Sequence, residues 1–316
     1  MLPLVEDLNV AELHVQAPTE IVFLCGGQFT PLNEINDTPP KSMRDGFLRV
    51  LKHPALGARE IVLAENFTKL AVFSAHYQDI LEFESDLAQI TELIILFCES
   101  AGSFAELGSF SSVEEIAKRL LVVIRDFYEK ENSFITLGPI TNLRNNHEFS
   151  VFVIEDAVIG IVGGSHDQLN LDALKKEMEQ PLRLRLKKTK EPTTFNPDRA
   201  GHLIKLVVGL IQEYGALKLT EIIDTLNTLG VAIPIDRLKA FLLCAKTVGW
   251  IETKNTGFDE FFVALDGEDA ANFSLPENTK VKNRQRRRLI IRDYWQENDP
   301  ARFRAIIKAP GDLDHE

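Results

Sequence analysis

Five short apolar runs, spaced along the first half of the chain, limit the folds open to it. They are Glu20-Ile21-Val22-Phe23-Leu24-Cys25, Glu60 to Ala64, Leu93 to Phe97, Leu120 to Ile124 and Ser150 to Ile154. Continuous runs of this length, rich in β-branched and aromatic residues, suit strands buried on both faces. Between them apolar residues recur at helical spacing: Met43, Phe47, Leu48 and Leu51 within 42–52, then segments 85–91 and 113–119. This alternation predicts an α/β fold, a doubly wound parallel sheet built from βαβ units. Ligands of such sheets bind outside the carboxyl ends of the strands. That rule places Gly26-Gly27, Glu65 and Cys98-Glu99-Ser100 in one crevice.

The second half differs, and charge shows it. The 316 residues carry a formal net charge of −12, unevenly spread. Residues 1–180 hold 13 basic and 28 acidic side chains, residues 181–316 hold 22 and 19, and residues 280–308 hold 10 and 3. Net acidity therefore does not exclude a nucleic-acid partner. Arg183, Arg185, Lys187, Lys188 and Lys190 precede Pro192 and Pro197, which predicts a domain boundary near 190. Helices are expected over 198–214, over 219–229 with Thr220 as N-cap and Gly230 past the end, and from Pro234 onward. A hairpin, Trp250 to Lys254 and Phe261 to Leu265, follows. Three helices and a hairpin resemble a winged helix, an α+β domain used on DNA or for protein docking; a small helical packing domain without DNA contact is the other reading. The expected domains are 1–190, catalytic; 191–275, winged helix; and 276–316, a basic C-terminal tail. Lys187, Lys188, Lys282, Arg284, Arg286, Arg287 and Arg288 are the expected nucleic-acid contacts, because guanidinium groups bind phosphate bidentately. A solvated basic face closing a hairpin or helix is the other reading.

Cys25, Cys98 and Cys244 are far apart and sit in apolar runs, without zinc or disulfide spacing. They read as buried thiols of a reducing cytoplasm. No signal peptide is expected, and no apolar stretch reaches the ~20 residues of a membrane span. The histidines, His166 among them, show no ligand spacing, so no metal is expected.

The segment that speaks to chemistry is Phe97-Cys98-Glu99-Ser100-Ala101-Gly102-Ser103-Phe104-Ala105-Glu106-Leu107-Gly108. Ser103 and Glu106 have the spacing of a capping box, which would use Glu106 to cap its own helix. The alternative places Glu106 in the first helical turn beside the crevice. A carboxylate there can act as nucleophile, or stabilise positive charge growing at an anomeric carbon. Gly26, Gly27 and Gln28 can bring backbone N–H groups to ribose or phosphate. Arg44 reads either as a phosphate partner or as an ion pair with Asp45 or Glu34. Glu65 reads as a ribose acceptor or a loop carboxylate. Glu84 and Asp86 either complete the pocket or favour the first turn of a helix. Glu99 and Ser103 complete the substrate-binding set.

The strand–ESAGS–xx–ELG arrangement resembles the nucleoside 2-deoxyribosyltransferase family, in which a Glu at the Glu106 position attacks the sugar C1′. A closer resemblance is to bacterial retron effectors that join such a domain to a C-terminal winged helix. It is carried by Cys25-Gly26-Gly27, Arg44-Asp45-Gly46-Phe47-Leu48, Ala64-Glu65-Asn66-Phe67, Phe83-Glu84 and the ESAGSFAELG run, and it spans most of the chain. The resemblance implies a toxin restrained by a reverse transcriptase and its multicopy single-stranded DNA until phage attack releases it. It implies cleavage of an N-glycosidic bond of a nucleotide, with Glu106 as catalytic carboxylate and NAD as leading substrate rather than as cofactor. Higher-order assembly fits this picture. The transferases carry a second carboxylate where this chain has Ser100, with Glu99 one place earlier, so the resemblance fits a nucleotide hydrolase less badly than free-nucleoside transfer. The competing class is a winged-helix regulator that binds DNA and senses a nucleotide without turnover.

Overall fold

All five apolar runs form strands of one parallel sheet. They are β1 (Ile21–Cys25), β2 (Glu60–Leu63), β3 (Leu93–Cys98), β4 (Leu120–Arg125) and β5 (Val151–Ile154). The computed structural model describes residues 2–31, 34–35, 38–50, 53–63, 65, 76–186, 192–277 and 279–307. Every residue of β1, β3 and β4 is buried, as expected for a sheet covered on both sides. The strand order is β2-β1-β3-β4-β5, with Val22 of β1 aligned on Ile61 and Leu93. The chain therefore moves outward from β1 to β2, then crosses back to β3. That reversal opens a crevice outside the carboxyl ends of β1 and β3.

Helices flank the sheet: α1 (Met43–Arg49), α2 (Ile80–Ile90), α3 (Ala101–Ser112) and α4 (Leu171–Arg185). Val22, Leu24, Ile95, Phe97, Leu121 and Val123 pack with Met43 and Phe47 of α1 and Leu174, Met178 and Leu182 of α4. The two-residue period of a strand sends the intervening side chains to the opposite face. Helix α2 starts five residues earlier than the spacing predicts, because Asp79 caps it by accepting from the Glu82 N–H at 2.9 Å. Segment 113–119 holds only one helical turn, Glu114–Ala117. Arg183 and Arg185, expected in a linker, lie in the last turn of α4. There the Arg185 guanidinium donates to the carbonyls of Glu148 and Lys118.

This sheet and its helices belong to a unit made of Glu20–Phe73 and Asp79–Thr189; Met1–Thr19, Ser74–Gln78 and Lys190–Glu316 form a second unit. Residues 1–19 group with the second unit rather than with the first expected domain. The reason is strand Asn9–Val15, which pairs antiparallel with Ala271–Ser274 and Thr193–Thr194. Helices α5 (Ala200–Tyr214), α6 (Leu219–Thr228) and α7 (Ile235–Thr247) fall where the periodicity places them. The cap of α6 is Lys218 rather than Thr220. Strands Ile251–Thr256 and Asp259–Ala264 make the hairpin, and Ala216–Leu217 adds a third strand to it. Helix α5 passes so close to Ala271 that a Cβ on Gly209 would lie 2.2 Å from the Ala271 methyl. Among the described residues no helix is long and apolar enough to cross a membrane.

The basic tail departs from expectation. It forms α8 (Arg284–Asn298) and α9 (Pro300–Ile307). Arg284, Arg287 and Arg288 share the inner face of α8, at positions i, i+3 and i+4. Arg287 is 1 % exposed and donates to Glu213 at 3.2 Å, Asp7 at 2.8 Å and the Leu4 carbonyl at 3.1 Å. Arg284 pairs with Glu213 and Asp269, and Arg288 with Asp269 at 2.6 Å. These three guanidiniums fasten the helix; Arg287 is closed off from solvent, whereas Arg284 and Arg288 keep an exposed edge. Lys282 and Arg286 are exposed; Lys187 and Lys188 lie outside the described residues. Arg287→Ala should therefore destabilise the fold by about 3 kcal/mol, since it removes the fully buried member of the cluster that neutralises Glu213 and empties the space its side chain fills. Denaturant titration reads this, and an unchanged midpoint would contradict it.

Candidate active site

At the crevice, β1 runs out into Gly26. Its φ is +139°, and a Cβ there would come within 2.8 Å of the Phe97 carbonyl oxygen. Glycine lets the strand turn away hard against β3. Gly27 is equally confined, by Glu99 and Ser42. Gln28 contributes its carbonyl, which accepts from Ser42 Oγ at 2.6 Å.

Glu99 does not face the crevice as a free carboxylate. Its side chain is 2 % exposed, and it accepts from the N–H groups of Met43 at 2.7 Å and Arg44 at 3.1 Å. It thus satisfies the first amides of α1 and complements that helix's positive end. Ser103 is likewise structural. Helix α3 begins at Ala101 with Ser100 as N-cap, and the capping pair is Ser100 with Ser103. Ser103 Oγ accepts from the N–H of Glu99 at 3.0 Å and of Ser100 at 2.9 Å. The expected Ser103–Glu106 capping box is absent, because the helix starts three residues earlier than that box requires. Glu106 falls in the second turn rather than the first, and its side chain is released from capping.

Arg44 projects from α1 and is 1 % exposed. Its guanidinium grips Glu65, just past β2, through two bonds of 2.5 Å, and donates to the Leu24 carbonyl at 2.9 Å. It is an ion pair, as one reading held, but with Glu65 instead of Asp45 or Glu34. Glu65 in turn is engaged by Arg44 and is not a lone ribose acceptor. Asp45 does separate work: it accepts from the Thr30 N–H and hydroxyl and the Lys41 N–H, fastening the loop ahead of α1.

Glu84, on α2, is 4 % exposed. Burial, then the charges of Glu106 and Glu65, push its carboxyl up to about 8. Burial also raises Glu106, against the pull of Arg44 and with a further push from Glu65, to about 7. Among the described residues Glu106 Oε2 is buried without a hydrogen-bond partner. Cys25 lies beneath, its thiol driven up by burial and by Glu106 and Glu84. Asp86 is buried as well, but a two-residue step on a helix turns it about 200° from Glu84. The site is thus Glu106, Glu84 and the Arg44–Glu65 pair, each from a different element. His166, read from sequence as structural or exposed, brings Nε2 to 3.5 Å from Glu99 Oε2. No sequence spacing signals that approach, because it spans 67 residues from the Glu99 loop.

Two buried carboxyl groups with raised affinity for protons, one feeling the charge of the other, are suited to different tasks. The one that ionises first can attack or stabilise a cationic carbon; the other stays protonated and can donate. Among the described residues no three His, Cys, Asp or Glu side chains gather as a metal set.

The chain matches the family described as STM3845 retron effector protein over residues 40–253. It is similar to two Escherichia coli proteins, each named a putative ribosyltransferase/DNA-binding protein. That of retron Ec73 is 27 % identical over 222 residues, 66 % of this chain and 66 % of that protein. That of retron Ec86 is 40 % identical over 72 residues, 23 % of this chain and 24 % of that protein. The match spans just under two thirds of the first relative's length.

Proposed function

The chain belongs to the STM3845 retron effector family, and from that premise we propose that its α/β unit cleaves the N-glycosidic bond of a nucleotide, NAD foremost. The observation that carries this reading is Glu106 Oε2, buried and without a hydrogen-bond partner among the described residues, with its charge felt by a second buried carboxyl, Glu84. An unsatisfied buried oxygen is costly unless a reacting group is to meet it. The unit is read as nucleoside deoxyribosyltransferase-like. The helices and hairpin of the C-terminal unit are read as a winged helix, the part assigned to the DNA partner. The toxin is held by reverse transcriptase and multicopy single-stranded DNA. The names of the Ec73 and Ec86 proteins, which join ribosyl transfer to DNA binding, support that combination.

In the proposed reaction the Glu106 carboxylate bonds to C1′ as the C1′–N bond breaks, and the bonding pair leaves with the base. Water then attacks C1′, its proton passes to a carboxylate, and Glu106 is restored. A neutral purine or pyrimidine needs a proton on its leaving nitrogen, which Glu84 holds. Nicotinamide departs from a cationic ring nitrogen and needs none.

The pH–rate profile tests the assignment. For NAD the rate should rise about tenfold per pH unit below 7 and level off above it, as Glu106 ionises. For a neutral-base nucleotide it should also fall above about 8, as Glu84 loses its proton. A rate independent of pH between 5.5 and 7 would remove Glu106 from the role.

A further inference from the structure

Helix α8 has a second face, turned away from the arginines that fasten it. Along it lie Arg286, Leu289, Ile290, Asp293 and Glu297, at steps of three and four, with Lys282 just ahead of the Asn283 N-cap. Leu289 is 57 % exposed and Ile290 38 %, and the four charged residues are exposed. Among the described residues none of these four has an ion-pair partner. Leu289 and Ile290 adjoin and form a small apolar centre between the charged ends of this face.

The charges say what fits against it. The N-terminal half of this face is basic and the C-terminal half acidic. Arg286 and Asp293 stand at equal distance from a midpoint between Leu289 and Ile290, and so do Lys282 and Glu297. A second copy of the same helix, laid antiparallel, sets Arg286 against Asp293 and Lys282 against Glu297, each twice. Leu289 and Ile290 then meet across the two-fold axis. Such self-complementarity is the requirement of an isologous interface, where residue i meets j and j meets i. A phosphate backbone is a poor occupant, because Asp293 and Glu297 repel it. A parallel copy would set like charges together.

We propose that the outer face of α8 is the seam through which two copies of this chain pair antiparallel. The basic end of the tail is then the mate of its acidic end. One helix pair buries less than the roughly 1,600 Å² of a standard interface. Pairing through it alone is therefore weak, in the micromolar range, and sensitive to salt.

Sedimentation velocity of the full chain from about 1 to 100 µM should show a concentration-dependent dimer. Arg286→Asp places like charges opposite each other in both inner pairs of the seam and should weaken the dimer at least tenfold. Adding Asp293→Arg restores the match in reversed sense and should recover the dimer. Leu289→Cys should give a disulfide-linked dimer under mild oxidation, since Cys25, Cys98 and Cys244 are buried. Circular dichroism checks that each variant is folded. A chain that stays monomeric throughout, or a dimer indifferent to the single change or unrescued by the double one, overturns the proposal.

Discussion

Glu106→Gln should lower the rate of base release at least about 10³-fold while leaving the chain folded. The amide keeps the shape of the side chain but cannot bond to C1′ or balance positive charge there. It should also alter stability in a pH-dependent direction. The folded chain holds the Glu106 proton more tightly than the unfolded chain does, with the carboxyl raised from 4.5 to about 7. The stabilising contribution of that proton is present at low pH and is lost as pH rises through about 7. Glutamine never ionises, so the variant should melt higher than wild type at pH 8.5 and about equally at pH 4. Melting curves at the two values, beside turnover, separate a catalytic from a structural role. A variant that keeps a tenth of the activity, or that melts lower at both pH values, contradicts the assignment.

The second large effect is at Arg44. Its guanidinium, 1 % exposed, pairs with Glu65 at 2.5 Å and counters the burial of Glu106. Arg44→Met leaves the carboxylates of Glu65, Glu84 and Glu106 without that cation. Removing Arg44 should cost less than the ~3–5 kcal/mol of a fully buried pair, because Glu65 is 36 % exposed and water screens the charge left behind. It should also raise Glu106 further, shifting the acid limb of the pH–rate profile upward. Arg44→Met with Glu65→Leu removes both charges and should recover much of the stability, returning the limb toward about 7. Denaturant titrations and pH profiles of the pair of variants check this. A single variant as stable as wild type would show that Arg44 does not hold the site together.

The parallel sheet was legible because strands buried on both faces are written as unbroken apolar runs; β1, β3 and β4 need no partner to be recognised. Strand Asn9–Val15 was not, since of its seven residues only Leu13 and Val15 are buried. Its partner, Ala271–Ser274, lies at the other end of the chain. The segment that carries Glu106 singles it out in the sequence, and in the structure that carboxyl is buried with its proton affinity raised. The cap beside it was misread because Ser100 and Ser103 both have capping chemistry, and only the helix start decides between them. Glu99 and Arg44 were seen as substrate groups because their partners, the amides of α1 and the carboxylate of Glu65, are brought to them by the fold. The arginines of α8 are the same case. Their number is plain in the sequence, yet Glu213, Asp269 and Asp7, which neutralise them, are scattered through it.

The central claim is that this crevice releases a base from a nucleotide through Glu106. Its most direct test is mass spectrometry of nucleotides and free bases in cells expressing the full chain without the reverse transcriptase and DNA proposed to restrain it, wild type against Glu106→Gln. The expected result is loss of one nucleotide, NAD foremost, matched by accumulation of its free base, in wild-type cells only. Growth arrest without free base, or equal release by the variant, would contradict it.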